Sequence, residues 1–393
     1  VIPLARPCFG PEEEAAVAEV LRSGWVAQGP TTARLEEEFA ALVGARHAIA
    51  TSSCTTALHL AVIACGVGRG DEVVLPSFTF PATANAVLYE RGTPVLVDVD
   101  PATLNVDPEA VRRAIGPRTK AVLAVHLFGA PCEIARLRAI CDERGVALIE
   151  DAACAVGTRF EGAPIGSFGD VACFSFHARK IVTCGEGGMI TTADDGKADL
   201  LRSLRTHGVD RPAEARHAEG LSPGIAEYVR LGYNYRLSDV QSAVLRVQLR
   251  RLAGFLDERE RLAARYDEGF RTLHGLRLPP RREGARHSFQ SYVVVLERDA
   301  PVEPDALTGA LAAAGISTRV GTYAVHRQPY LRGTPGVPAR LPFAEEAAER
   351  SVALPMYNGM TRTDQDAVLD AVRRLWAGRT GGPGQAAGRA ATT

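Results

Sequence analysis

Residues 174–188 read FSFHARKIVTCGEGG. The apolar half closes a buried strand, VACFSF (171–176), and a second strand, MITT (189–192), follows the glycines. Lys180 stands just behind the first strand, and lysine is rarely buried without a partner. Gly185, Gly187 and Gly188 permit a sharp turn or a close approach of backbone to another group; taken alone, a glycine-rich hairpin accounts for them. Upstream, HAIA (47–50), VVLP (73–76), PVLVDV (94–99), AVLAVHL (121–127) and ALIED (147–151) are nearly continuous apolar runs. Strands covered on both faces have this character. Between them lie helical stretches. Thr55–Cys65 has the cap candidates Ser52 and Ser53 and ends before Gly66. Pro108–Ile115 follows Asp107, and Glu133–Arg144 stops at Gly145. This alternation predicts an α/β domain with a mostly parallel sheet, whose ligands bind beyond the carboxyl ends of the strands.

The 393 residues suit two domains. Residues 1–260 read as a large domain with an N-terminal arm, and 240–275 as a long helical connection. SYVVVL (291–296) and helices near 304–314 and 363–376 belong to a small domain over 261–376. The Gly/Ala-rich end, 377–393, offers no apolar anchor and reads as disordered.

Net charge is −1 and no basic block stands out, which argues against a nucleic-acid partner. No apolar run reaches the ~18 residues of a membrane span. The start, VIPLARPCFG, lacks the pattern of a signal peptide, so the cytoplasm is the expected location. The eight cysteines include no C-x-x-C pair and read as reduced thiols, with no disulfide framework and no metal site.

Lysine is scarce: Lys120, Lys180 and Lys197 are the only three, and arginine supplies the remaining cations. Arginine stays protonated in proteins, whereas lysine can lose its proton. Lys120 reads as a charge at a strand start and Lys197 as part of a polar loop, which leaves Lys180 as the candidate for a chemical amine. Glu150 and Asp151 end a buried strand, where a carboxylate meets a ligand or caps the next segment. TSSCTTAL (51–58) is a strand-to-helix turn of small hydroxyl residues, suited to a phosphate or to ordinary capping.

Phosphate turn, Asp and Lys follow one another in that order. The chain resembles the fold-type-I pyridoxal-phosphate aminotransferases of the DegT/DnrJ/EryC1/StrS group. The likeness runs from about Pro3 to Trp376. It rests on SGWVAQGP, SSCTTALHLA, LPSFTFPATANAV, VDVDPATLNVDP, VHLFG, IEDAACAVG, FSFHARKIVTCGEGGM, GYNYRLSDVQSAV and VHRQPY. The resemblance implies a large domain with a mostly parallel seven-stranded sheet and a smaller α+β C-terminal domain. It implies pyridoxal 5'-phosphate as cofactor, with the pyridoxamine form in the half-reaction. Lys180 would be its Schiff-base lysine and proton shuttle, and Asp151 the partner of its pyridine nitrogen. Phe80 would stack on the ring, while Cys54, Thr55 and Ser175 would hold the phosphate. Asn234 would reach the phosphate of a neighbouring subunit, in a homodimer with shared sites.

Two positions depart from the commonest patterns. Cys54 stands where many members have Gly, and Cys154 where many have His or Gln. Cys154 reads as a small packed residue or a reactive thiol, and the contact to the cofactor's phenolic oxygen rests on it. His326 matches a family histidine near the sugar site; a lone histidine is otherwise structural, and His177 is subject to the same reservation. Trp25 and Tyr323 are candidates for the sugar–nucleotide cleft. The SFH-x-x-K and GEGG pattern resembles members that aminate C4 of nucleotide-linked 4-keto-6-deoxy sugars. The implied reaction moves an amino group from L-glutamate to a nucleotide-linked keto sugar, at C4 of a dTDP-4-keto-6-deoxyhexose. The alternatives are a C3 keto sugar, a keto-cyclitol, or a non-enzymatic ligand-binding protein of the same fold. Lys180 argues against the dehydratases of the group, which carry His there.

Overall fold

The computed structural model describes residues 1–210 and 227–380. Its main sheet has seven strands: β1 (His47–Thr51), β2 (Glu72–Pro76), β3 (Thr93–Val97), β4 (Thr119–Val125), β5 (Ala147–Asp151), β6 (Val171–Ser175) and β7 (Gly188–Thr192). They lie in the order β1-β7-β6-β5-β4-β2-β3. Only β7 runs against the others, pairing antiparallel with β1 and β6, with Met189 opposite Phe174. The expected mostly parallel seven-stranded sheet is thus present.

Its strands are apolar on both sides because both faces are covered. Leu148, Ala172 and Phe174 enter one core with Leu35 and Phe39, whereas the alternating Ile149, Val171 and Cys173 enter the other with Leu58 and Ala61. The helices over them are α1 (Pro11–Ser23), α2 (Pro30–Val43), α3 (Cys54–Ala64), α4 (Pro81–Tyr89), α5 (Pro108–Ala114), α6 (Ile134–Arg144) and α7 (Asp195–Arg205). The chain continues with α8 (Asp239–Phe270), α9 (Pro304–Ala313), α10 (Pro342–Arg350) and α11 (Arg362–Thr380). Helix α2 has no side-chain cap of its own. Buried Asp239, at the start of α8, supplies it by accepting from the N–H groups of Gly29, Thr31 and Thr32.

A four-stranded antiparallel sheet, in the order β8 (Leu276–Arg277), β9 (Tyr292–Leu296), β11 (Ser351–Leu354), β10 (Arg319–Val320), forms the smaller C-terminal unit. A third core joins it to α9 and α11 through Tyr292, Leu307, Val352 and Trp376. Helix α8 feeds two cores: Leu252 and Leu256 enter the first, Leu262 and Tyr266 the third. The change of core therefore falls inside an unbroken helix. Ala324, Val325, Ala344 and Ala347 pack into the second core beside Ala57 and Ala84. That stretch of the C-terminal region closes down on the main sheet.

One boundary differs from expectation. Helix α11 runs to Thr380, so residues 377–380 are helical, beyond a Trp376 whose indole N–H donates to the His274 carbonyl at 2.9 Å. The rest of the expected tail, 381–393, lies outside the described residues.

Candidate active site

A cavity of about 250 Å3 opens at the carboxyl ends of β5 and β6. Asp151 ends β5 and is 4 % exposed. Its carboxylate accepts from the Thr83 hydroxyl at 2.9 Å and the Ala153 N–H at 3.1 Å. Burial nevertheless raises its pKa above the usual carboxylate range, against the opposing pull of those donors and of Lys180. The charged form is under-compensated, so a further cation at this wall would be favoured.

Its neighbour Glu150 points the other way, since successive side chains of a strand alternate faces. It is fully buried and accepts from the N–H groups of Gly166, Phe168 and Gly169. His126, at the end of β4, lies 3.1 Å from it through Nε2, while the Cys132 N–H donates to Nδ1. The ring proton is therefore on Nε2 and donates to Glu150.

Lys180 sits in the loop between β6 and β7, its N–H bonded to the His177 carbonyl at 2.8 Å. Its ammonium enters the cavity and donates to the Cys154 thiol at 3.2 Å. Among the described residues, no carboxylate lies within ion-pair distance of it.

The start of α3 also lines the cavity. Ser53 caps that helix, its hydroxyl accepting from the Thr56 N–H at 3.2 Å. The N–H groups of Cys54 and Thr55 precede the helical ladder and have no acceptor among the described residues. Ser175 lines the cavity as well. Gly188 makes this packing possible: a Cβ there would lie 2.4 Å from the Ser53 carbonyl oxygen and 2.7 Å from the Cys54 nitrogen. The Cys54 thiol is buried, and burial, reinforced by Asp151, pushes its pKa well above the ordinary value. It is a packed, protonated group.

Phe80, the N-cap of α4, is 53 % exposed and forms one wall. Its ring centroid is 6.4 Å from that of Tyr323, because Phe78–Thr79 pairs with Tyr323–Ala324 in a two-stranded sheet. The cavity thus brings together Lys180, Asp151, Cys54, Thr55, Phe80 and Ser175, with Tyr323 beside Phe80 at its edge. His177 lines it as well.

Three candidates do not reach it. His326 is buried, with Nδ1 2.6 Å from the Ser77 hydroxyl and Nε2 3.2 Å from Glu345. It fastens the segment before β2's helix partner α4 to α10. Trp25 is half-exposed in the α1–α2 connection, and Asn234 is exposed beside Thr206. Sequence reasoning in turn missed Thr83, Arg179 and Arg319. Thr83 lies within the SFTFPAT motif, but nothing in its spacing ties it to a carboxylate 68 positions away.

The residues fit pyridoxal phosphate. One cavity holds an under-compensated carboxylate, unengaged N–H groups and hydroxyls, an amine and an aromatic ring. No described helix is long and apolar enough to cross a membrane.

Comparison with known proteins agrees. The profile of the DegT/DnrJ/EryC1/StrS aminotransferase family matches residues 7–373. The aminotransferase TlmJ from Streptoalloteichus hindustanus is 37% identical, with a TM-score of 0.89 over 97% of this chain and 100% of that one. DesV from S. venezuelae, solved in complex with a ketimine intermediate, is also 37% identical, with a TM-score of 0.84 over 93% of this chain and 94% of its own. Spr1654 from Streptococcus pneumoniae, described as a sugar aminotransferase and seen in its PMP form, is 26% identical, with a TM-score of 0.90 over 96% and 100% of the two chains. Family profile, fold and cavity coincide over nearly the whole length: the chain belongs to the DegT/DnrJ/EryC1/StrS aminotransferase family.

Proposed function

We propose that the protein uses pyridoxal phosphate to transfer the amino group of L-glutamate to a nucleotide-linked keto sugar, at C4 of a dTDP-4-keto-6-deoxyhexose. The observation that carries the cofactor and its chemistry is the meeting of Lys180 and Asp151 in one cavity with the open start of α3. When bound, pyridoxal phosphate supplies an electron sink for a carbanion beside the transferred nitrogen. The sugar class is supported by Spr1654, and the C4 position by the SFH-x-x-K and GEGG pattern alone.

The chain's own groups divide the work. Lys180 Nζ would hold the cofactor covalently; once the donor's own amino group has taken its place, the freed amine would accept the proton from the donor's α-carbon. Cys154 suits this shuttle, because a thiol binds the amine only weakly. Asp151 keeps the pyridine nitrogen protonated, and Thr83 holds the carboxylate in place. The Cys54 and Thr55 N–H groups and the Ser175 hydroxyl bind the phosphate, while Phe80 covers one face of the ring. Asn234, which does not line its own cavity, serves the phosphate of a second copy in a homodimer. Tyr323 contributes to the sugar cleft from its place beside Phe80, whereas buried His326 acts through the packing of that wall.

The test combines pure enzyme, pyridoxal phosphate, L-glutamate and dTDP-4-keto-6-deoxyglucose, with mass spectrometry of the sugar product. A 4-amino sugar is expected. No product from this sugar, with turnover of a 3-keto sugar or a keto-cyclitol, sinks the C4 assignment.

A further inference from the structure

All eight cysteines are free thiols, but their surroundings differ. Burial pushes Cys65, Cys141 and Cys184 up to about 12, and holds Cys54 and Cys173 well above the ordinary value. Cys132 is fully buried. Two thiols remain that are partly open to solvent and beside a cation. Cys8 lies 3.4 Å from a terminal nitrogen of Arg251, and Cys154 lies 3.2 Å from Lys180 Nζ. Those cations are unlike. Arginine keeps its proton, whereas lysine can release one and then carries a nucleophilic lone pair. Among the described residues, Cys154 is the thiol that hydrogen-bonds to an amine.

The main sheet holds the two groups together. Cys154 follows β5 and Lys180 follows β6, neighbouring parallel strands in which Asp151 lies opposite Cys173. Both connections leave the carboxyl ends of these strands and line the same cavity, so their contact needs no rearrangement. A cavity that admits a substrate also admits a small oxidant. Thiols that react with oxidants lie in partly exposed, electropositive surroundings. Lys180 supplies the positive charge here, with Arg319 near enough to Cys154 to feel its charge.

We propose that Cys154 and Lys180 form an oxidative modification site, at which a peroxide joins thiol and amine through a sulfur–nitrogen bond and so withdraws the amine from catalysis. In the first step the Cys154 sulfur attacks one oxygen of the peroxide. The O–O bond breaks, the sulfur is oxidised by two electrons, and the other oxygen leaves as water with the thiol proton. This yields a sulfenic acid. In the second step the Lys180 lone pair attacks that sulfur. The S–O bond breaks, and the hydroxyl leaves as water with one proton from the nitrogen. Sulfenic acids condense in this way even with backbone nitrogen, a poorer nucleophile than an amine. In sum, hydrogen peroxide becomes two waters, and thiol and amine lose one hydrogen each. A thiol reductant reverses the link: its sulfur attacks that of Cys154, the S–N bond breaks, and the amine takes the reductant's proton. A second reductant thiol then frees Cys154 and leaves as a disulfide with the first. This regulation rests on the aminotransferase reading above, in which Lys180 is engaged while it holds the cofactor and free once the donor has displaced it.

The experiment exposes full-length protein to hydrogen peroxide in three states: free of cofactor, loaded with pyridoxal phosphate, and loaded and then mixed with L-glutamate. Remaining thiols are capped with N-ethylmaleimide, and the protein is read by intact mass and peptide mapping. The cofactor-free and glutamate-treated samples should lose about 2 Da before capping and should give one peptide pair joined at Cys154 and Lys180. The loaded sample should resist. Activity of the glutamate-treated enzyme should fall in step with the link and return with dithiothreitol. Cys154→Ala, whatever its starting activity, should keep it through a treatment that stops wild type. A cofactor-free protein in which Cys154 ends as a sulfinic acid, or in a disulfide with Cys54, overturns the proposal and leaves the aminotransferase reading intact. Equal loss of activity in Cys154→Ala also overturns it. A link that forms without cofactor but never after glutamate sinks the aminotransferase reading, because the donor has then not released the amine, while the modification site stands.

Discussion

The Lys180 ammonium donates to the Cys154 thiol across 3.2 Å. Sulfur is a weak acceptor, so the amine is placed without being tightly engaged. Cys154→Ala should therefore leave stability within about 1 kcal/mol and should not prevent cofactor capture. Alkylation of Cys154 by iodoacetamide should block capture, because the adduct sits beside Nζ. Prior loading with pyridoxal phosphate should protect the thiol. Peptide mass spectrometry checks this, and equal labelling of loaded and unloaded protein counts against it.

Lys180→Ala should abolish both turnover and the covalent adduct fixed by borohydride, with the fold kept. Far-UV circular dichroism and intact-protein mass measure the two. Retained catalysis in this variant would overturn the assignment of the amine.

Asp151 gives a pH prediction with a definite sign. Burial raises its folded-state pKa. Between the unfolded value of ~3.9 and that raised value, the native apoprotein binds more protons than the unfolded chain, so this group lowers stability as pH rises through the window. Asp151→Asn cannot ionise and should remove that fall, leaving the apoprotein at least as stable as wild type at neutral pH. Cofactor affinity should drop by about tenfold or more, since the partner of the ring nitrogen is gone. Thermal melts from pH 4 to 8 and cofactor titration, taken together, are decisive. An apo variant less stable at neutral pH contradicts the electrostatic account.

Gly188→Ala places a Cβ against the Ser53 carbonyl and the Cys54 nitrogen, both backbone atoms that can yield only by moving α3. The expected outcome is a loss of about 1–3 kcal/mol of stability and weaker binding of phosphate-bearing cofactor than of pyridoxal itself. Equal loss for both compounds would show that the start of α3 does not bind the phosphate.

His326→Ala should act on stability, not on chemistry. Removing the ring takes from the buried Ser77 hydroxyl its 2.6 Å partner, leaving it only the long bond from the residue-326 N–H, and takes from Glu345 its contact with Nε2, at a cost of about 1–3 kcal/mol. The KM for glutamate should change little. A large change in sugar KM at unaltered melting temperature would return His326 to the substrate.

Much of this architecture is legible in the sequence, for physical reasons. The seven central strands are buried on both faces and so appear as unbroken apolar runs. Lys180, Asp151 and the hydroxyl-rich turn all fall at strand ends, where an α/β sheet places its ligands. What escaped notice depends on long-range packing. The two-residue pairing of Phe78–Thr79 with Tyr323–Ala324 has no periodicity to betray it. The cap of α2 comes from Asp239, 207 to 210 positions away. Arg319 is one arginine among many until β10 closes on the cavity. His326 carried a family motif, yet only the structure shows both ring nitrogens already engaged.

The alternation of Glu150 and Asp151 carries a consequence for how this gene can vary. One acid fastens the 166–169 turn, and the next faces the cavity. A point substitution injures one duty at a time. Insertion or deletion of a single codon within 147–151 would exchange the two faces and cost the protein its scaffold anchor and its reacting wall together. Surface connections of the chain can lengthen or shorten between descendants, but this strand cannot change length at all.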